Sequence, residues 1–246
     1  MKDKVRDTYD KIAGCWKSKV WVQSSDFNAR IVKFADTSGN EKSLDVGIGS
    51  GDLETSLSLA DVTGIDLSSK MIEECRRLHP HFKLYVCDAE ALPFDNESFD
   101  FVYCRNLLQH FEDPSKAFAE MYRVTKRGGK ILAIESAVYK NETFCVTPIV
   151  RVTEPHHPEF PSHEMLRVLF ERCNVGHIEQ RVEGLHKKWL NGWCKSKAAS
   201  EEQRKQVIDI CRSLPKGYRK KYNLAVYDPP SEIESTLTFS FIKGYK

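Results

Sequence analysis

The sequence predicts an α/β fold with a doubly wound, mostly parallel sheet, on three observations. Between residues 43 and 135, short apolar runs alternate with helical stretches, the pattern of strands wrapped by helices. One of these runs, Leu44-Asp-Val, passes straight into Gly-Ile-Gly-Ser-Gly-Asp, a glycine loop between a strand and a helix. The chain of 246 residues can bury the core of one large domain with elaborations.

The strand candidates in order are Ser43–Val46, Val62–Ile65, Lys83–Cys87, Phe99–Cys104 and Lys130–Ile134. After the second, Ser68 is placed to cap a helix with a Met71, Ile72, Cys75 and Leu78 stripe, a Glu73–Arg77 pair and a stop at Pro80. Ala117–Val124 reads as a further helix closed by Gly128-Gly129 before the fifth strand. His163–Cys173 is another, with Met165, Leu166, Leu169 and Phe170 apolar, leading to a strand near Val175–Val182. A last strand, Ser235–Ile242, puts Leu237, Phe239 and Phe241 on one face.

Three stretches fall outside this scaffold. Residues 1–30 read as helical and carry Tyr9, Trp16, Trp21 and Phe27; about 136–162 hold Pro148, Pro155, Pro158 and Pro161, which exclude a long helix; and about 184–232 complete the set. Ligands of doubly wound sheets lie at the carboxyl ends of the strands, where insertions after the fifth and sixth strands emerge. The expectation is a single domain: a core of about 31–135, 163–183 and 233–246, and a cap from the three remaining stretches.

The formal charge of +2 fits neither a strongly basic nucleic-acid binder nor an acidic tail, although it hides an asymmetry. Between His186 and Lys221 eleven Lys or Arg face only Glu201, Glu202 and Asp209. Eight cysteines are scattered without a C-x-x-C, the usage of free thiols in a reducing compartment. No apolar signal core opens the chain, and no stretch approaches the roughly 18 apolar residues of a membrane span. A cytoplasmic protein is expected.

The glycine loop departs from a phosphate cradle. In G-x-G-x-x-G the third glycine would fall at Asp52, and with Asp45 at the strand end two carboxylates would repel a pyrophosphate. Gly47, Gly49 and Gly51 can still adopt positive φ and let backbone press on a ligand, one with hydroxyls and an ammonium group. Asp66, ending the second strand, is spaced to accept both hydroxyls of a ribose. Asp88 can accept from an exocyclic amine while the Ala89 N–H donates, which describes an adenosine site without phosphates.

With these residues in order, the sequence resembles the class I S-adenosylmethionine-dependent methyltransferases, of the small-molecule group that includes the ubiquinone and menaquinone methyltransferases. The resemblance runs from about residue 43 to 135 through Leu44-Asp-Val-Gly-Ile-Gly-Ser-Gly, Gly64-Ile-Asp-Leu-Ser-x-x-Met, Asp88-Ala-Glu-x-Leu-Pro-Phe, Ser98-Phe-Asp-Phe-Val-Tyr-Cys-Arg-Asn-Leu-Leu-Gln-His and Glu120-Met-Tyr-Arg-Val-Thr-Lys-Arg-Gly-Gly. It implies a Rossmann-like seven-stranded sheet with helices on both faces, an antiparallel last strand, and a cap that determines the substrate. It also implies S-adenosyl-L-methionine as cofactor, contacted by Asp45, Gly47, Asp66, Leu67, Asp88, Ala89 and the backbone around Cys104 and Arg105; Gly49, Gly51 and Met71 of the same motifs are expected beside them, and Tyr9 of the N-terminal helix is expected to close over the cofactor, against docking on the core. Arg127 stands where many relatives have proline.

Methyl transfer from a sulfonium needs an O, N or C nucleophile in line at roughly 3 to 3.5 Å, and a base if the nucleophile carries a proton. His110, just beyond the fourth strand, is the candidate base, against a packing role. Trp16, Arg151, His156, His157 and Trp189 are candidate substrate contacts in the cap, against plain burial. No metal is expected, because Cys145, His156, His157 and His163 match no zinc spacing. The expected partner is a small molecule rather than nucleic acid, since the basic run lacks interleaved aromatics. Two alternatives stay open, a tRNA or protein methyltransferase docking through residues 186–221 and a non-catalytic cofactor-binding module.

Overall fold

The computed structural model describes residues 2–14, 24–197, 199–227 and 232–246. Two helices, α1 (Lys2–Ile12) and α2 (Ser25–Ala35), precede an alternation of β1 (Lys42–Val46), α3 (Asp52–Leu57), β2 (Asp61–Asp66), α4 (Ser69–Leu78), β3 (Lys83–Val86), β4 (Phe99–Arg105), α5 (Ser115–Val124) and β5 (Thr125–Ser136). Then come α6 (Thr143–Thr153), α7 (His163–Arg172), β6 (Gly176–Lys188), α8 (Leu190–Ser196), α9 (Glu201–Ser213), α10 (Lys216–Lys221), β7 (Ala225–Tyr227) and β8 (Glu232–Tyr245).

One sheet runs β3-β2-β1-β4-β5-β8-β6, with β7 paired to β8. The first five strands are parallel, and β8 is antiparallel to β5, β6 and β7. The expected seven strands and antiparallel last strand are this path, and three-residue β7 is an eighth.

The central strands are apolar on both sides, so each face needs its own helical layer. Val102 and Cys104 of β4, with Ile131 and Ala133 of β5, pack beneath α5 and α7 against Phe118, Met121, Leu166 and Phe170. Their alternates, Phe101, Tyr103, Leu132 and Ile134, pack beneath α2, α3 and α4. In that second layer Phe27 meets Phe239 and Phe241 with ring centroids 4.6 and 5.4 Å apart. Burying a side chain such as Phe27 contributes roughly 2–3 kcal/mol, so α2 is part of this layer and straddles residue 30. A third cluster joins Cys145 and Ile149 of α6, Leu190 and Cys194 of α8, and Val207, Ile208 and Cys211 of α9 with Trp189 and Ile233.

Local expectations hold with adjustments. Ser68 caps α4 through the Met71 N–H, but Arg77 pairs with Glu74 and Glu73 with Lys70, since i,i+3 partners lie as close as i,i+4 ones. The Gly128-Gly129 pair lies inside β5, which starts at Thr125, where the β4–β5 register shifts between Phe99 and Phe101. Pro148 does not prevent helix α6 of 11 residues, because buried Cys145, Thr147 and Ile149 hold it by packing. Strand β6 runs on to Lys188, paired along its length with β8. Among the described residues no helix is long and apolar enough to cross a membrane.

Candidate active site

The carboxyl ends of β1, β2 and β4 open into a cavity of about 370 Å³, and the segments after β5 and β6 enclose a second of about 160 Å³. Tyr9, Asn106 and His110 line both.

The first cavity is shaped by the glycine loop. Gly47, Gly49 and Gly51 all take positive φ, at 86°, 56° and 76°. A Cβ on Gly47 would sit 2.9 Å from Leu107 Cδ1, so only glycine passes there unstrained. The Gly47 and Ile48 N–H groups both donate to the Ile65 carbonyl, fastening the loop to β2. The Asp66 carboxylate accepts from the Gly49 N–H at 3.0 Å and the Ser68 N–H at 2.8 Å. Burial pushes its pKa up to about 6 against those N–H donors.

Asp88 lies across the cavity, ion-paired with Lys2 of α1, which also reaches Glu90. Burial acts to raise the Asp88 carboxyl, but the Lys2 ammonium outweighs it and holds the group low. Leu67, Met71 and Ala89 complete the apolar wall, and Arg105 enters from the end of β4. Arg105 Nη1 is buried with no partner among the described residues. Behind the wall, Asp45 and Glu54 are both buried, and Tyr103 donates to Glu54 at 2.8 Å. Burial and the neighbouring Glu54 raise Asp45 well above the usual carboxylate range.

The second cavity is walled by Val146, Ile149, Val150, Phe160, Trp189, Trp193, Tyr218, Tyr222, Leu224 and Leu237. Its polar groups gather where it meets the first. There Tyr9 Oη lies 2.7 Å from His110 Nε2, and the His110 and His157 rings meet edge to face at 5.5 Å. The His157 Nδ1–H donates to the Pro158 carbonyl at 3.0 Å, which leaves Nε2 as that ring's acceptor. Glu154 is ion-paired with Lys197, whose side chain is only 5% exposed. Burial opposes ionisation of Glu154, yet Lys197 foremost, then His110 and His157, brings its pKa down to about 2.

The expected site residues divide into two groups. Tyr9, Gly47, Gly49, Asp66, Leu67, Met71, Asp88, Ala89, Arg105 and His110 line the first cavity, and His157 and Trp189 the second. Gly51 is instead the N-cap of α3, where a Cβ would strike Cys75 and His79. Asp45 lies behind the loop, and Cys104 is fully buried against Glu135 because its side chain takes the opposite face of β4 from Tyr103. Arg151 Nε donates to the His157 carbonyl and so braces the wall, while His156 sits on the outside with Lys4. Trp16 lies outside the described residues.

Asn106, Glu154, Lys197, Trp193, Tyr218 and Tyr222 line the cavities without having been expected there. The signals for Asn106 were its place just past a strand end and within the block Ser98–His110. His110, Glu154 and His157 offer donor atoms within 4.8 Å of one another, a grouping that spacing alone did not reveal. Lys197 holds the carboxylate, and its ammonium opposes a second cation.

Comparison with known proteins bears on this geometry. Residues 44–133 match a family model described as a methyltransferase domain. An uncharacterized methyltransferase of Bacillus subtilis, YcgJ, is 23% identical over 237 residues, 93% of each chain. The ubiquinone/menaquinone biosynthesis C-methyltransferase UbiE of Desulfotalea psychrophila is 34% identical over 142 residues, 54% of this chain and 58% of that one. The chain carries a methyltransferase domain and is similar to a methyltransferase over nearly its whole length.

Its fold agrees with the crystal structure of YcgJ, at a TM-score of 0.80 and 22% identity over 89% of this chain and 97% of that one. A phosphoethanolamine N-methyltransferase of Haemonchus contortus, solved with phosphomonomethylethanolamine and S-adenosylhomocysteine, gives a TM-score of 0.62 at 20% identity, covering 96% of this chain and 57% of that one. The first cavity fits S-adenosylmethionine chemically. Carboxylates Asp66 and Asp88 face hydroxyl and amine donors, Gly47 leaves room where a Cβ would clash, and the unpaired Arg105 Nη1 is a buried donor suited to a carboxylate.

Proposed function

We propose that this methyltransferase acts on a small, largely apolar acceptor seated in the second cavity, and that Tyr9 and His110 handle the acceptor's proton. The observation that carries the reading is the shared wall: among the described residues the two cavities adjoin at Tyr9, Asn106 and His110. The bound cofactor supplies a methyl group already activated on a sulfonium, so the protein's contribution is alignment, exclusion of water and proton transfer. Asp66 and Asp88 hold the adenosine, and Arg105 the carboxylate at the methionine end. Asp45 stays behind the loop, buried beside Glu54.

Burial raises Tyr9 far above the usual phenol range, so its O–H stays protonated, and with His110 Nε2 as the acceptor it donates across the 2.7 Å contact. A proton leaving the acceptor can pass to the Tyr9 oxygen as the phenol proton moves to Nε2 and ends on the imidazole. Glu154, held ionised beside both histidines, then stabilises the imidazolium.

Helix α1, the segment 136–162 and helices α8 to α10 act together as the cap over one methyltransferase domain, while α2 belongs to its core. Tyr9, Val146, Phe160, Trp189 and Tyr218, drawn from all three, line the second cavity. This enclosure favours a small metabolite over RNA or protein. The basic segment is partly engaged by carboxylates, with buried Lys197 on Glu154 and exposed Lys221 on Glu142. A reducing, cytoplasmic setting is supported by seven free cysteines among the described residues.

Incubation with methyl-labelled cofactor and a cell extract should place label in small molecules, and His110→Ala should lower turnover by roughly 10²–10⁴-fold. Label on RNA or protein would overturn the acceptor class. Unchanged turnover in the variant would remove His110 from proton transfer.

A further inference from the structure

Asn106 follows the last residue of β4 and stands in the left-handed region at φ 53°, on the wall common to both cavities. Its side chain is oriented by Ser136. The Ser136 N–H donates to Asn106 Oδ1 at 2.9 Å, and the Ser136 hydroxyl donates to the same oxygen at 2.9 Å. A backbone N–H can only donate, so the atom it meets must be the amide oxygen, and this settles which way the amide faces. The backbone of Asn106 is fixed as well, through its N–H on the Ile134 carbonyl and its own carbonyl accepting from Gln109. What remains is Nδ2, whose two N–H donors have no acceptor among the described residues.

We infer that Asn106 selects for an oxygen beside the reacting atom of the acceptor, so that the substrates are phenol- or enol-type compounds rather than ammonium-bearing amines. This rests on the reading of the second cavity as the acceptor site. An N–H donor repels the N–H donors of an ammonium group but pairs with a phenolic or enolic oxygen. As the proton departs toward Tyr9 and His110, negative charge develops on that oxygen, and a preoriented donor stabilises it. Among the described residues the one carboxylate on the cavity wall that could have received an ammonium, Glu154, is already neutralised by Lys197. The role holds equally for methylation on the oxygen and on the ring carbon beside it, because both proceed from the phenolate or enolate.

Asn106→Asp tests the assignment with little disturbance, since a carboxylate oxygen can accept both Ser136 donors and aspartate tolerates positive φ. The probes are 2-naphthol and 2-(aminomethyl)naphthalene, titrated calorimetrically into protein saturated with S-adenosylhomocysteine. The wild type should bind the naphthol and not the amine. In the variant the naphthol should weaken at least tenfold while binding of the amine appears, a gain that misfolding cannot produce. Wild-type binding of the amine as tightly as the naphthol, binding of neither probe, or an unchanged naphthol affinity in the variant would overturn the assignment. Absence of heat with S-adenosylhomocysteine alone would strike the cofactor reading beneath it.

Discussion

The two cavities that meet at His110 are built in opposite ways. The first is a property of the sheet: its carboxylates end strands, its glycines join β1 to α3, and its polar groups come in short contiguous blocks. The second is closed by the cap over β8, with several side chains from α6 and one each from α8 and α10, and most of its wall is apolar. The electrostatics differ accordingly. Asp66 is desolvated with backbone N–H groups as its hydrogen-bond donors, so ionisation is costly and its pKa rises, whereas Glu154 is desolvated beside a cation and its pKa falls. One site is poised to receive donors from a ligand, and the other has settled its charge internally so that the cavity stays receptive to an apolar guest.

The largest effect should come from breaking that internal settlement. Lys197→Met leaves an ionised Glu154 buried without its partner, at a cost of about 3–5 kcal/mol in denaturant unfolding. Adding Glu154→Gln should recover most of the loss, because the orphaned charge goes with it. The sign with pH follows from the depressed value. A carboxyl at about 2 in the fold and near the ordinary 4.5 when unfolded contributes stability above 4.5 that is lost as pH falls toward 2. The wild type should therefore lose its advantage over the double variant across that window, and equal stability at neutral pH of the wild type and Lys197→Met would break the contrast between the cavities.

A smaller effect belongs to the first cavity. Asp66→Asn removes the charge that would accept ribose hydroxyls, and one charge-assisted hydrogen bond at 1.5–3 kcal/mol corresponds to roughly a 10–150-fold loss of cofactor affinity. With the Asp66 carboxyl at about 6 in the ligand-free protein, the accepting form is complete above that pH and is depleted below it. Wild-type affinity should thus be level above about pH 7 and fall as pH drops through 6, while the variant should lack this step. Calorimetric titration between pH 5 and 8 separates the two, and a flat wild-type profile would show that Asp66 does not set the affinity.

The same division decides what could be read from sequence. Gly47, Asp66 and Asp88 were legible because the strand–loop–helix unit places all of their geometry within a few residues, so spacing substitutes for structure. Glu154 and Lys197 meet only because α6 and α8 share a cluster with α9, and no periodicity in either helix announces a partner in the other. Tyr9 and His110, more than a hundred residues apart, could be named singly but not as a bonded pair. Asn106 lay within a recognised block, yet its role depends on Ser136 across the β4–β5 edge, a matter of register. The antiparallel last strand, in contrast, followed from the alternation of Leu237, Phe239 and Phe241 and from the resemblance together.

The smallest effect sharpens the comparison from outside both cavities. A basic face that docks a polyanion releases counterions, and each phosphate neutralised adds about 0.9 to the slope of log affinity against log salt. If residues 186–221 served RNA, several such contacts would cost activity by orders of magnitude between about 50 and 200 mM salt. An acceptor held by aromatic walls, one amide donor and an internally neutralised ion pair has almost no such dependence. Lys197 is buried, and Lys221 is engaged by Glu142 and lies over the Tyr139 ring at 4.3 Å, so part of the positive charge is not available to a polyanion. Turnover should vary less than about twofold over that range, and charge reversal at exposed Lys205 and Arg212 should leave it so. A steep salt slope abolished by those two reversals would move the acceptor out of the second cavity and onto the basic surface.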